Sequence, residues 1–330
     1  MTIIAITHAQ ADLGKFIEAA DLAALRAVAE VRVLGGNAPE ALFPHLVDVE
    51  VLLGSWGMPK RIPALLTVAP RVRAVCYAAG SVKGFVTAES YARNVLITTA
   101  MYANAVSVAE VSVALITLAN KDWFQSQAAT RSGGRTNRHL SHVTHPGNFG
   151  TTIGLVGFGA IGRLVAEKLR AMELRVLVAD PLSSAAAVAE YGAILVPLDQ
   201  LARESHEGSL HAPDIPATNG MCNAAFFAAM PTGATFINTA RGRLVDEDAL
   251  LVELTSGRLN AHLDVTYPEP PLADSPFYAL PNAWLTPHLA GSSSNEVRRT
   301  GCLAISECQN LIAGRPPRFP LTEAMLATMA

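Results

Sequence analysis

Three stretches in the second half of the chain carry reactive side chains at comparable points of the local pattern. ATFINTARGRLVDEDAL at 234–250 presents Arg241 in a turn before a helix. HLDVTYPEPPL at 262–272 presents Asp264 and, past it, Glu269 between two prolines, and WLTPHLAGSS at 284–293 presents His288. Taken singly, an arginine at a helix start, an acid in a Pro-rich turn and a histidine after proline are ordinary surface or capping residues. Each stretch, however, ends a short apolar run that reads as a strand, and ligands of α/β sheets lie off the carboxyl ends of strands. A guanidinium, carboxylates and an imidazole facing one crevice point to catalysis.

The stretch that organises this half is TTIGLVGFGAIGRLVAEKLRAMELRVLVAD, ending at Asp180. A strand over 153–156 runs into Gly157, Gly159 and Gly162, spaced GxGxxG, and Ala160 and Ile161 open a helix-period segment. The first glycine suits the tight turn, the second lets a pyrophosphate approach the backbone, and the third lets helix and strand pack closely. The helix N-terminus offers free N–H groups to that pyrophosphate. A second strand over 176–179 delivers Asp180, eighteen positions past Gly162, to an adenosine ribose. A bare glycine triplet is weak; strand, helix and terminal acid together make a dinucleotide site. Pro181, Leu182, Ser183 and Ser184 follow with no arginine for a 2′-phosphate, so NAD is expected over NADP.

The elements around these motifs alternate. Strands are expected at 3–6, 31–34, 51–53, 72–77 and 95–98, with a helix over 21–30. In the second half, strands are expected near 194–196, 208–211, 235–238, 259–264 and 284–285, with helices near 185–191, 225–230 and 247–257. Such alternation predicts an α/β protein built on doubly wound parallel sheets. Residues 104–120 read as a long apolar helix crossing between domains, and the chain beyond 292 as helical to about 311. Two glycine-rich turns, GSWGMP at 54–59 and AAGSVKG at 78–84, are candidate walls of a site.

Composition narrows the classes. The 330 residues, half of them hydrophobic and 16% charged, are ample for two globular domains. A net charge of −3 gives no bulk attraction to nucleic acid or anionic membrane. Cys76, Cys222, Cys302 and Cys308 have neither disulfide-framework nor metal spacing, which suits a reducing compartment. The N-terminus lacks a signal-peptide pattern, and the apolar stretch 105–119 carries Glu110 and falls short of a membrane span, so a cytoplasmic protein is expected. The polar segment 121–146, with Arg131, Arg135, Arg138, His139, His142 and His145, reads as a solvated loop rather than a nucleic-acid patch or metal site.

The motifs NAVSVAE (104–110), GLVGFGAIG (154–162), SLHAPDIPATNG (209–220), INTARGRLVDEDAL (237–250), LDVTYPEP (263–270) and LTPHLAG (285–291) resemble, in this order, the D-isomer-specific 2-hydroxyacid dehydrogenase family. The resemblance implies a Rossmann cofactor domain over 101–290 and a smaller flavodoxin-like substrate domain built from 1–100 and 291–330, with a homodimer formed through the former. It implies that Arg241 grips a substrate carboxylate, that Glu269 partners His288, and that His288 exchanges a proton with the carbonyl oxygen as hydride moves between nicotinamide and substrate. A carboxylate beside an imidazole favours its protonated form. By the same resemblance Asp264 lies toward the nicotinamide, Thr239 and Ala240 along the cofactor, His211, Ala212, Pro213 and Thr218 along its adenine and pyrophosphate edge, and the amides of Ala79 and Gly80 at the substrate carboxylate. No metal is implied.

Glu269 stands where formate dehydrogenases of this superfamily have glutamine, which disfavours that activity. Phosphite oxidation shares the triad. A corepressor-like NAD sensor is the alternative from another class. No room is expected after Ala330 for the regulatory domain that phosphoglycerate dehydrogenases often add. Val82 stands where the family often has an acid, and RTNRHLSHV lacks the aromatic residue common shortly before the cofactor domain. Trp56, Met58, Tyr102 and Trp284 are candidates for the side-chain pocket, whereas His262 is expected to pack.

Overall fold

The computed structural model describes residues 1–8, 13–35, 39–56, 58, 62–83, 85–131, 147–326 and 329. The chain divides into two compact units, Met1–Ala105 with Ser292–Met329, and Val106–Gly291.

The first unit holds a five-stranded sheet of β1 (Ile3–His8), β2 (Glu30–Gly35), β3 (Val51–Gly54), β4 (Ala74–Tyr77) and β5 (Leu96–Thr99). All pairs are parallel and the order is β2-β1-β3-β4-β5, the flavodoxin-like arrangement. Alternation along the strands feeds two cores. Leu52 and Val75 face one layer with Leu65 and Ile97, while Leu53 and Cys76 face another with Ile305 and Cys308. Burial on both faces explains why β3 and β4 read as continuous apolar runs. The second layer is completed by the late helix Val297–Ile312, whose apolar stripe includes Val297, Ala304 and Cys308.

The second unit holds seven parallel strands: β6 (Thr152–Val156), β7 (Arg175–Ala179), β8 (Ile194–Leu195), β9 (Glu207–Leu210), β10 (Thr235–Asn238), β11 (Asn260–Leu263) and β12 (Ala283–Leu285). Their order is β12-β11-β10-β9-β6-β7-β8, so the winding reverses between β6 and β9. That reversal opens a crevice at the carboxyl ends, where such sheets bind ligands. Phe236 and Ile237, adjacent on β10, enter the two opposite cores.

Three expectations need correction. The helix expected over 21–30 is Ala19–Arg26, because the β-branched residues after Glu30 pair with β1. The segment 121–146 contains a helix, Trp123–Arg131, held by Phe124 against His262 and Trp284 at ring-centroid distances of 4.5 and 5.4 Å. Its polar pattern hid the aromatic residue, Phe124, that anchors it. The rest of that segment, with the remaining basic and histidine residues, lies outside the described residues, as do Gly57, Pro59 and Gly84 of the two glycine-rich turns. Lastly, the apolar helix runs over Met101–Ala119 and, by length and composition alone, is long enough to cross a membrane. Ala109 and Ile116 instead pack into the core under β6, with Ile153 and Leu155.

Candidate active site

The turn after β6 has the geometry that the glycine spacing requires. Gly157 sits at φ +97°, and a Cβ on it would lie 2.6 Å from the Ala212 amide nitrogen. A Cβ on Gly162 would collide with the Gly157 carbonyl oxygen, so the helix starts against the turn itself. At Gly159, the residue before the helix Ala160–Leu169, nothing lies within 4 Å of where a Cβ would be. A wider backbone approach is open there, beside the helix's free N–H groups, and a dinucleotide pyrophosphate fits that cradle. Asp180, past the end of β7, accepts from the Phe158 amide at 2.6 Å and the Leu182 amide at 2.8 Å. The acid therefore ties the glycine turn to the end of β7 and remains partly exposed.

The loop after β9 is also fixed from within. Thr218 Oγ1 donates to the Pro213 carbonyl at 2.5 Å and accepts from the Ile215 amide at 3.1 Å, closing the loop on itself. Ala212 abuts Gly157. The His211 side chain is turned inward: only 8% of it is exposed, its Nε2 lies 3.0 Å from Ser209 Oγ, and burial pushes its pKa down to about 4. The segment meets the glycine turn through its backbone.

Arg241, Glu269 and His288 lie past the ends of β10, β11 and β12. The Asn238 side chain holds the arginine turn from both sides, accepting from the Ala240 amide and donating to the Arg241 carbonyl, each at 3.0 Å. Arg241 itself donates to the Ala240 carbonyl at 2.6 Å. Burial lowers its pKa, an effect the neighbouring carboxylates of Glu269 and Asp214 oppose. Thr239 is turned inward, 3.1 Å from Ser112 of the long helix. Gly242 is the contact point between two loops, because a Cβ there would run into the Thr266 carbonyl. The arginine turn thus lies directly on the backbone that leads to Glu269. Glu247 adds a tether, accepting from the Tyr267 amide at 2.7 Å, and burial pushes its carboxyl up to about 7.

His288 adopts φ +53°, unusual for a residue with a Cβ. What holds it there is Asp264. One carboxylate oxygen accepts from Thr286 Oγ1 at 2.6 Å and the Leu289 amide at 2.8 Å, the other accepts from the Ala290 amide at 2.9 Å, and the Asp264 carbonyl accepts from the His288 amide at 2.9 Å. Asp264, expected toward the nicotinamide, is 4% exposed and engaged in this clamp. The imidazole stands out of the turn with Nδ1 2.6 Å from Glu269 Oε1, both side chains about two-fifths exposed. Nε2 makes no hydrogen bond among the described residues. His262, by contrast, stacks on Trp284 at 4.7 Å, and burial lowers its pKa to about 4.

In the first unit, Ala79 and Gly80 follow β4. Thr99 Oγ1 donates to both their carbonyls, at 2.9 and 2.6 Å, and the Ala100 amide donates to Ala79 at 3.1 Å. With the carbonyls drawn inward, the amides of Gly80 and Ser81 meet no protein acceptor among the described residues. Asn104 reaches the same turn: its Nδ2 lies 3.6 Å from where a Gly80 Cβ would be, and its Oδ1 accepts from Ser292 at 2.8 Å. Asn238, Asp214, Gly242, Glu247, Thr99 and Asn104 were not singled out by sequence. All of these but Thr99 lie inside quoted motifs, which was the available signal.

The chain is 32% identical over 294 residues to D-3-phosphoglycerate dehydrogenase of Mycobacterium bovis, covering 89% of this chain and 55% of that protein. It is 31% identical over 227 residues to the protein of that name from Archaeoglobus fulgidus, covering 68% and 42%. The chain thus spans about half the length of the curated relatives it matches. Among solved structures, the TT0316 protein from Thermus thermophilus is 27% identical with a TM-score of 0.76, covering 97% of this chain and 100% of that one. D-lactate dehydrogenase with NAD+ from Lactobacillus jensenii shares the fold at 22% identity and a TM-score of 0.79, with the same coverage. Residues 113–290, more than half of the chain, match the model of the D-isomer specific 2-hydroxyacid dehydrogenase NAD binding domain, and the chain belongs to that family.

Proposed function

We propose that the protein is an NAD-dependent dehydrogenase that interconverts a small 2-oxo acid, of the glyoxylate or hydroxypyruvate type or related, and its D-2-hydroxy acid. The observation that carries this reading is the His288–Glu269 pair at 2.6 Å, on a turn clamped by Asp264 and beside a guanidinium turn packed on the Glu269 loop. NAD, when bound along the glycine turn, supplies or removes the hydride at the substrate's C2. Arg241 binds the substrate carboxylate in a fork and polarises the carbonyl; the amides of Ala79 and Gly80, in the first unit, suit an anionic group. Glu269 accepts from Nδ1 of His288, which fixes the ring and turns Nε2 to the carbonyl oxygen. From there His288 donates a proton during reduction and takes it back during oxidation. Asp180 accepts from the adenosine ribose and disfavours a 2′-phosphate, so NAD is preferred to NADP.

The same reading makes the protein a cytoplasmic homodimer. Its four cysteines are all free thiols, which suits a reducing compartment. The helix Trp123–Arg131 has no buried residue and leaves Trp123 58% exposed, a face that a second copy would cover. The test is NADH oxidation at neutral pH with glyoxylate, hydroxypyruvate, pyruvate and longer 2-oxo acids. Turnover on at least one is expected. NADH binding without turnover on any would overturn the reading in favour of an NAD sensor.

A further inference from the structure

Arg243, in the single turn Gly242–Leu244 just past Arg241, reaches across to the Glu269 loop. Its guanidinium lies over the Tyr267 ring, the central carbon 4.3 Å from the ring centroid, and Nη2 donates to the Tyr267 hydroxyl at 3.0 Å. Both side chains are exposed, Tyr267 by 55%, so burial does little to hold that ring. The backbone on either side of the pair is pinned separately. The Arg243 carbonyl accepts from the Gly220 amide of the loop after β9 at 2.9 Å, and the Tyr267 amide donates to Glu247 at 2.7 Å. Glu269 follows two residues later, between Pro268 and Pro270, which have no amides with which to anchor the loop. The ring and the amide of Tyr267 therefore hold the chain just before its carboxylate.

Resting on the dehydrogenase reading above, we propose that Arg243 and Tyr267 are positioning residues, a stacked and hydrogen-bonded clasp that holds the Glu269 loop on the Arg241 turn and keeps the carboxylate aimed at His288. Neither touches the reacting atoms in this reading. The clasp joins the turn that opens with Arg241 to the loop that ends in Glu269, which meets His288 Nδ1 at 2.6 Å. It thereby sets the guanidinium and the carboxylate relative to each other. The Gly242 contact with Thr266 fixes how closely the two backbones approach, and the clasp, on the exposed side, stops the loop from swinging about that contact. The pair suits the task. A guanidinium offers a flat face to a ring and a planar set of donors to a hydroxyl, whereas an ammonium is a point charge without that face. Catalysis is sensitive to such placement, since a shift of ~1 Å can cost ~10²-fold in rate.

The experiment measures kcat and KM with NADH for glyoxylate, hydroxypyruvate and pyruvate in the natural protein, Arg243→Ala, Tyr267→Ala, the double alanine variant and Tyr267→Phe, with melting temperatures to confirm that each is folded at the assay temperature. Each alanine variant is expected to lower kcat by ~10-fold with KM within about two-fold, the pattern of a lost transition-state placement rather than lost substrate binding. The double variant should fall no further than either single one, because both remove the same clasp. Tyr267→Phe keeps the stacked ring without the hydroxyl and should recover most of the loss. A kcat within about two-fold of the natural value in both alanine variants, additive losses in the double variant, or a rise in KM alone would overturn the proposal and leave the dehydrogenase reading in place. Failure of the natural protein to reduce any of the acids would overturn both.

Discussion

At the carboxyl end of β4 the first unit presents backbone amides, on a turn whose Ala79 and Gly80 carbonyls accept from Thr99. At the carboxyl ends of β10, β11 and β12 the second unit offers a guanidinium, a carboxylate and an imidazole. Each is held by a neighbour bonded to the backbone of its turn. Both units are doubly wound parallel sheets, so the difference does not come from architecture. It comes from what each edge is asked to do. Proton transfer needs rare side chains in fixed positions, whereas orienting an anion can be done by amides that any residue supplies.

The largest effect expected from this contrast is at His288. His288→Ala removes the proposed proton donor and leaves the Asp264 clamp, the glycine turn and Asp180 in place. Turnover should fall by ~10²–10⁴, the usual reach of general acid–base catalysis. NADH affinity, read by fluorescence titration, should stay within a few-fold. Unchanged turnover would remove the acid–base role and much of the difference between the two edges.

That asymmetry also explains what was legible in the sequence. The fold class and strand sites followed from apolar runs of fixed spacing, because buried parallel strands admit little else. Gly157, Gly162 and Asp180 could be placed because each answers a backbone or ligand requirement that few residue types meet. Asp264 and His211 show what spacing alone does not carry: a polar residue at a strand end looks the same whether it faces a ligand or holds its own loop. Only the hydrogen bonds from Thr286, Leu289 and Ala290 distinguish the two at Asp264. Thr99 left no signal at all, since a threonine closing a β-strand is commonplace.

Two substitutions sharpen the comparison between the edges. Asp264→Asn keeps the shape but turns one acceptor into a donor, which must then face either the Ala290 amide or the Thr286–Leu289 pair. Charge-assisted bonds of this kind are worth ~1.5–3 kcal/mol, and the His288 turn should loosen accordingly. Turnover should drop ~10- to 100-fold with NADH affinity nearly unchanged, as a loss of that size implies. A loss confined to NADH affinity would mean that Asp264 serves the cofactor instead. Thr99→Val, in the other unit, removes one hydroxyl shared by two carbonyls. It should raise KM for the substrate by roughly five-fold at constant kcat, matching one net hydrogen bond of ~1 kcal/mol. A change in kcat alone would count against a substrate-holding role for this turn.

The smallest expected effect is on stability, at the tether between the two loops of the second unit. Burial raises the Glu247 carboxyl from its ordinary value of 4.5 to about 7 in the folded protein. The unfolded chain therefore loses this proton at lower pH than the folded one. Stability linked to Glu247 is complete below pH ~4.5 and declines as pH rises through about 7, because ionisation then charges a half-buried group. Glu247→Gln keeps an oxygen to accept from the Tyr267 amide and cannot ionise. Its melting temperature should match the natural protein near pH ~5 and exceed it by roughly a degree or two at pH ~8. Equal melting curves at both values would mean that solvent screens this carboxylate.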